Sequence, residues 1–115
     1  MSTPEEHGLT VEVVEVTPLL AQVWIARNHR HRPVEPKRVR KYARRMAGGE
    51  WGLNGKCITF DADGVLLGGQ HRLLACIESG CSFVTLVVRG LDPAVVLKQP
   101  SDDEGAGDQE VADAA

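Results

Sequence analysis

The chain has 115 residues, of which 43% are apolar and 25% charged, a composition typical of one globular domain. No stretch approaches the roughly 18 consecutive apolar residues of a membrane span, so we expect no membrane partner. The formal net charge of −3 at face value argues against a nucleic-acid ligand. The acidic and polar first ten residues do not resemble a secretory signal, and we therefore expect a cytoplasmic protein.

The net charge conceals a strong asymmetry along the chain. Residues 1–99 hold all 13 Lys and Arg against 10 acids, whereas residues 100–115 hold six acids and no base. Residues 27–45 alone hold nine bases and one acid, Glu35. Such a dense basic stretch indicates an anionic ligand in spite of the negative total. The acidic tail is either a solubilising end or a competitor of that ligand for the basic stretch.

The predicted elements follow the order β-α-α-β-β-α-β-α, which defines an α+β domain with a small mixed sheet. A strand over 11–16 leads to a helix over 18–28 with Thr17 as its N-cap, and a second helix covers 35–47. Strands over 56–60 and 65–67, a helix over 70–79, a strand over 82–89 and a short helix to about residue 98 follow. We expect residues 1–9 to be flexible, 10–99 to form the domain and 100–115 to be disordered.

The most informative stretch is a strand that passes through two glycines directly into a helix. We call residues 68–72, with the sequence Gly-Gly-Gln-His-Arg, the GGQHR box. Gly68 and Gly69 allow backbone N–H groups to approach a ligand, and the first turn of a helix offers unpaired donors with a partial positive charge. His71 and Arg72 add further donors at the same end. The pattern predicts a phosphate site; a plain strand–helix turn with solvated side chains is the alternative.

Motifs in this order resemble the ParB/sulfiredoxin-like fold, most closely its compact ParB-like members from phages and actinobacteria. The resemblance covers roughly residues 10–97. It rests on Asn28…Arg32-Pro33, on Val39…Tyr42-Ala43…Met46…Gly49, on Ile58…Asp61…Gly64…Leu67, on the GGQHR box followed by Leu73 and Ala75, and on Val87-Val88-Arg89-Gly90-Leu91-Asp92-Pro93.

The resemblance implies a module that binds a nucleotide and DNA. Partition proteins of this family hold CTP at the box position, so the implied cofactor is CTP or ATP, with Mg²⁺ accompanying it. Its implied contacts are Gly68, Gly69, Gln70, His71 and Arg72, together with Asn28, Arg30 and Arg32 of an earlier loop. Sulfiredoxins place their nucleophilic Cys where this chain has Gln70, so we expect no sulfinic acid reductase activity. The helix-turn-helix module of partition proteins does not follow the box, so we expect contact with the DNA backbone rather than sequence reading.

The predicted helix over 35–47 supplies the nucleic-acid contact in this hypothesis. Its candidate contacts are Lys37, Arg38, Lys41, Arg44 and Arg45. An ordinary solvated surface is the alternative interpretation of the same bases. No metal site is predicted, because no Cys or carboxylate stands near His29, His31 or His71 at a familiar ligand spacing.

Two further functions are compatible with the sequence. One is a weak NTPase, kinase or nuclease of the same fold, in which His71 would move a proton or position a phosphate. No acidic cluster suited to Mg²⁺ stands near the box, which favours binding over hydrolysis. The other is an accessory domain that binds proteins, and a homodimer is a candidate assembly.

Overall fold

The computed structural model describes residues 2–28 and 33–96. The helices and strands, in chain order, are β1 (Thr10–Val16), α1 (Pro18–Ile25), α2 (Pro36–Ala47), β2 (Cys57–Asp61), β3 (Leu66–Gly68), α3 (Gln70–Ser79), β4 (Phe83–Leu91) and α4 (Pro93–Val96). A 3-10 turn over Pro4–His7 precedes β1. This order confirms the predicted α+β class and the predicted succession of elements. The acidic tail of residues 100–115 lies outside the described residues.

The four strands form one mixed sheet in the order β1-β4-β2-β3. The long strand β4 pairs antiparallel with β1 over seven consecutive residues and parallel with β2 on its other side. β2 and β3 form an antiparallel hairpin, in which the Asp61 carboxylate accepts the backbone N–H groups of Asp63 and Val65. Asp61 is therefore explained by turn chemistry.

The core lies between one face of the sheet and the helices. Alternate strand residues point into it, as the twofold periodicity of a strand requires. It is built from Val16, Ile58, Phe60, Leu66, Phe83 and Val87 of the strands and from Ala21, Trp24, Val39, Tyr42, Ala43, Met46, Leu73, Ala75 and Cys76 of the helices. α3 is the central helix, since both α1 and α2 contact it.

Local sequence signals account for the ends of the helices. Thr17 Oγ1 accepts the backbone N–H of Leu20 at 3.1 Å, which is the predicted cap of α1. Gly69 and Gly80 flank α3 with φ angles of +105° and +70°, so both ends of this helix are at the predicted residues. α1 ends at Ile25, three residues before its predicted end. Within residues 2–28 and 33–96, no helix is long and apolar enough to cross a membrane.

Candidate phosphate-binding site

The side chains of the GGQHR box are buried. Gln70, His71 and Arg72 expose only 8%, 7% and 4% of their surface. All three lie in the first turn of α3, where Gln70 bonds to the segment after α1 and His71 to the beginning of α2. This differs from the solvated side chains of the plain-turn alternative, because charged and polar residues are rarely buried unless other groups hold them.

Both glycines of the box pack tightly against β2. A side chain at Gly69 would collide with the Ile58 side chain, and the φ of +105° disfavours any residue with a Cβ. A Cβ at Gly68 would lie 2.8 Å from Thr59 Oγ1. Gly69 is thus needed for the close approach of α3 to the sheet and Gly68 for the close pairing of β3 with β2, independently of any ligand.

Two hydrogen bonds attach the segment before α2 to the box. Asn28 Nδ2 donates to Gln70 Oε1 at 2.6 Å, and the backbone N–H of Glu35 donates to His71 Nε2 at 3.0 Å. Asn28 and Glu35 stand on the two sides of residues 29–32, and they bind two consecutive residues of α3. The predicted contacts Arg30 and Arg32 belong to 29–32 and lie outside the described residues.

The bond from Glu35 defines the state of the His71 ring. A nitrogen that accepts a hydrogen bond carries no proton, so this geometry corresponds to the neutral ring with its proton on Nδ1. Nε2 therefore accepts the bond that positions the beginning of α2. Sequence alone does not distinguish this role from the proton transfer that the enzyme hypothesis assigned to His71.

A basic groove runs along α2, beside the box. We use this name for a cavity of about 510 Å³ lined by Glu35, Lys37, Arg38, Arg40, Lys41 and Arg44. Residues 37, 40, 41 and 44 have the spacing i, i+3, i+4, i+7, which aligns them on one side of a helix. The apolar stripe of α2 faces the core from the other side. Glu35 belongs both to the groove and to the bond with His71, and so it connects the groove with the box.

Arg38 occupies a different position from the other bases of α2. Its side chain is 4% exposed, and Nη2 lies 3.4 Å from Glu35 Oε1. The sequence offers Arg38 as a nucleic-acid contact like its neighbours, whereas its side chain is buried between the groove and the protein interior. A guanidinium stays charged in proteins, so Arg38 is a fixed positive charge beneath the groove, next to the Glu35 carboxylate.

The structure brings together part of the predicted site. Lys37, Arg38, Lys41 and Arg44 line one groove, and Asn28 joins Gln70 at the box. Arg45, on the same helix, is absent from the described groove lining. Sequence reasoning omitted Arg40 and Glu35 from the site. Arg40 could have been found from its i, i+3 spacing from Lys37. Glu35 has no such signal in the sequence, because it belongs to the site through its hydrogen bond to His71.

Among residues 2–28 and 33–96, no group of three or more His, Cys, Asp or Glu side chains is arranged to hold a metal ion. Comparison with protein-family models, with curated proteins and with solved structures identified no match to this chain. The geometry and charge of the described residues are therefore the basis for a functional proposal.

Proposed function

We propose that the protein is a ParB-like phosphate-binding module that holds the backbone of DNA in the basic groove. The observation that carries this proposal is the composition of α2: its 12 residues include six bases and no acid. Four of these bases, Lys37, Arg40, Lys41 and Arg44, form one row along the groove. Such a row is the electrostatic footprint of a protein that contacts phosphates.

The energetics of α2 support a bound polyanion. Like charges at i, i+3 and i, i+4 destabilise a helix by about 0.2–0.5 kcal/mol a pair, and Lys37, Arg40, Lys41 and Arg44 contain several such pairs. Lys37 also stands in the first turn, where the helix dipole disfavours a cation. Phosphates in the groove relieve both conflicts. An ordinary solvated helix would carry acids among these bases.

The length of the row suits an extended ligand. Lys37 and Arg44 are seven residues apart, which corresponds to about 10 Å along the helix axis. Duplex DNA carries one charge for every ~1.7 Å of its axis. A duplex against α2 therefore presents several phosphates to the row, and the buried Arg38 contributes to the potential without needing direct contact.

A nucleoside triphosphate is the second candidate ligand. The groove volume of about 510 Å³ falls in the range of small-molecule sites, and Glu35 connects the groove with the GGQHR box. In this arrangement the triphosphate occupies the groove, and the box positions the beginning of α2 through the bond from Glu35 to His71. Calorimetric titration with CTP, ATP and GTP tests it, with Lys41→Gln as the groove variant. If none of the three nucleotides gives a heat of binding, or if Lys41→Gln leaves that heat unchanged, a nucleotide is not the ligand of the groove.

Fluorescence anisotropy with a labelled duplex, measured over a series of salt concentrations, tests the DNA proposal. For about four phosphate contacts, log K is expected to fall with log[salt] with a slope of about −3 to −4. The double variant Arg40→Gln/Arg44→Gln should reduce the magnitude of that slope by about 2. Arg27→Gln is the matched control, an exposed arginine outside the groove lining. Absence of binding at low salt, or an equal loss in Arg27→Gln, contradicts the proposal.

A further inference from the structure

The face of the sheet opposite the core carries apolar side chains. Val11 and Val13 of β1 and Val84 of β4 expose 46%, 60% and 42% of their surface. They alternate with the core residues of the same strands, and Leu86 and Val88 of β4 lie beside them in register. An antiparallel sheet with one solvated face usually presents polar residues there. Both faces of β4 are instead apolar, a pattern typical of strands that are covered on both sides.

β1 is an edge strand with features that favour pairing. It contains seven residues, and its register with β4 is continuous. Natural edge strands are usually protected by proline, by a bulge, by short length or by charged side chains. β1 has no proline, and its pairing with β4 shows no bulge. Its charges are Glu12, which forms an ion pair with Arg89 at 2.9 Å, and Glu15.

The remainder of the chain is poorly suited to cover this strand. Residues 97–115 contain two large apolar side chains, Leu97 and Val111, and six acids. Those acids would meet Glu12 and Glu15 on β1, and like charges opposite one another destabilise a sheet. Residues 29–32 are His-Arg-His-Arg and offer no apolar surface. A second copy of β1, in contrast, can place Val13 opposite Val13 and each glutamate opposite a valine.

We propose that two copies of the protein pair antiparallel through β1, with Val13 on the twofold axis. In this register, residue 10 of one copy lies opposite residue 16 of the other, and all seven residues are paired. Glu15 then lies opposite Val11 of the second copy, and Glu12 opposite Val14. The two Glu15 side chains are separated by about 13 Å along the strands, beyond the Debye length of about 8 Å at physiological salt.

The charges select this register over its neighbours. Residues that lie opposite one another in a sheet point to the same face. In a pair of antiparallel copies of β1, the numbers of two opposite residues must therefore add up to an even sum, and neighbouring registers differ by two in that sum. The next register in one direction places Glu12 opposite Glu12. The next in the other direction centres on Val14, keeps five of the seven pairs and leaves two residues of each strand without partners. The register centred on Val13 is therefore the longest one without like charges opposite each other.

Sedimentation equilibrium tests the pairing, because a residue on a twofold axis faces its own copy. Val13→Lys and Val13→Glu should each raise the dimer dissociation constant at least about tenfold through like-charge contact. An equimolar mixture of the two variants should restore the dimer as a mixed species. Val95→Lys on α4, at a valine of similar exposure, is the control and should stay dimeric.

A monomeric wild-type protein at all concentrations overturns the proposal, as does a dimer that Val13→Lys leaves intact or a mixture that fails to associate. Amide hydrogen exchange of the wild-type protein provides a test without a variant. The β1 amides on the free edge should exchange more slowly as the protein concentration rises. Exchange that is independent of concentration contradicts pairing through β1.

Discussion

The backbone N–H of Glu35 donates a hydrogen bond to Nε2 of His71 at 3.0 Å, although 36 residues separate the two along the chain. Glu35 is the N-cap residue of α2, and His71 lies in the first turn of α3. The bond therefore joins the beginnings of two helices whose contact forms a large part of the core. It also places the basic row of α2 at a defined position relative to the GGQHR box.

Removal of the His71 ring should destabilise the protein. His71→Ala leaves the Glu35 N–H without its acceptor and opens a cavity at a buried position, and we expect the free energy of unfolding to fall by about 2–4 kcal/mol. His71→Gln retains an acceptor near the position of Nε2 and should lose less than His71→Ala. Urea denaturation provides the comparison.

His7→Ala is the matched control for this series, because His7 is exposed in the 3-10 turn. Its expected effect lies within about 0.5 kcal/mol. Equal stability of His71→Ala and His7→Ala is the result that contradicts a positioning role for His71.

A Cβ at Gly69 should be more costly than one at another glycine with positive φ. Gly69→Ala combines an unfavourable backbone conformation with a collision against Ile58, for an expected loss of about 2–4 kcal/mol. Gly49→Ala isolates the backbone component, since φ there is +73° and no atom lies within 4 Å of the added Cβ. Thermal denaturation of both variants should separate the two effects. A loss at Gly69 that does not exceed the loss at Gly49 contradicts the tight packing of α3 on β2.

Sequence patterns predicted the succession of elements because each element carries its own local signal. α3 is bounded by two glycines with positive φ, and its predicted ends are the observed ones. In α2, Val39, Tyr42, Ala43 and Met46 recur at i, i+3, i+4 and i+7, a helical spacing, and all four lie in the core. The end of α1 was wrong by three residues, because Arg27 and Asn28 donate their N–H groups to Trp24 and Ile25 in turns instead of continuing the α-helix.

The candidate site was less accessible to sequence reasoning, since its geometry depends on contacts between α2 and α3. The i, i+3, i+4, i+7 spacing identified a basic side of α2 but not the burial of Arg38. The Gly-Gly pair predicted a ligand cradle, whereas the structure assigns the same glycines to packing against Ile58 and Thr59. The bond from Glu35 to His71 joins residues far apart in sequence, and no local pattern encodes it.

Arg89 should contribute to stability mainly through its contact with aromatic rings. Its guanidinium carbon lies 5.6 Å from the Trp24 ring centroid and 5.2 Å from that of Phe60. Its ion pair with Glu12 is weak, because the Glu12 side chain is mostly exposed to solvent. Arg89→Ala should lower the free energy of unfolding by about 1–2 kcal/mol, and Glu12→Gln by less than about 1 kcal/mol. Urea denaturation in which Glu12→Gln costs as much as Arg89→Ala would assign the stabilisation to the ion pair instead.

The buried thiol of Cys76 should make stability depend on alkaline pH. Burial, with a smaller contribution from the neighbouring Cys81, raises the pKa of Cys76 from 9.0 to about 11. Between these values the unfolded chain loses the proton while the folded protein keeps it, so rising pH favours unfolding. The expected loss is at most about 2–3 kcal/mol. Because Lys and Tyr titrate in the same range, the measurement is the difference in slope between wild type and Cys76→Ala, with Cys57→Ala as the variant that keeps the slope. If Cys76→Ala retains the full alkaline slope, another group is responsible for it.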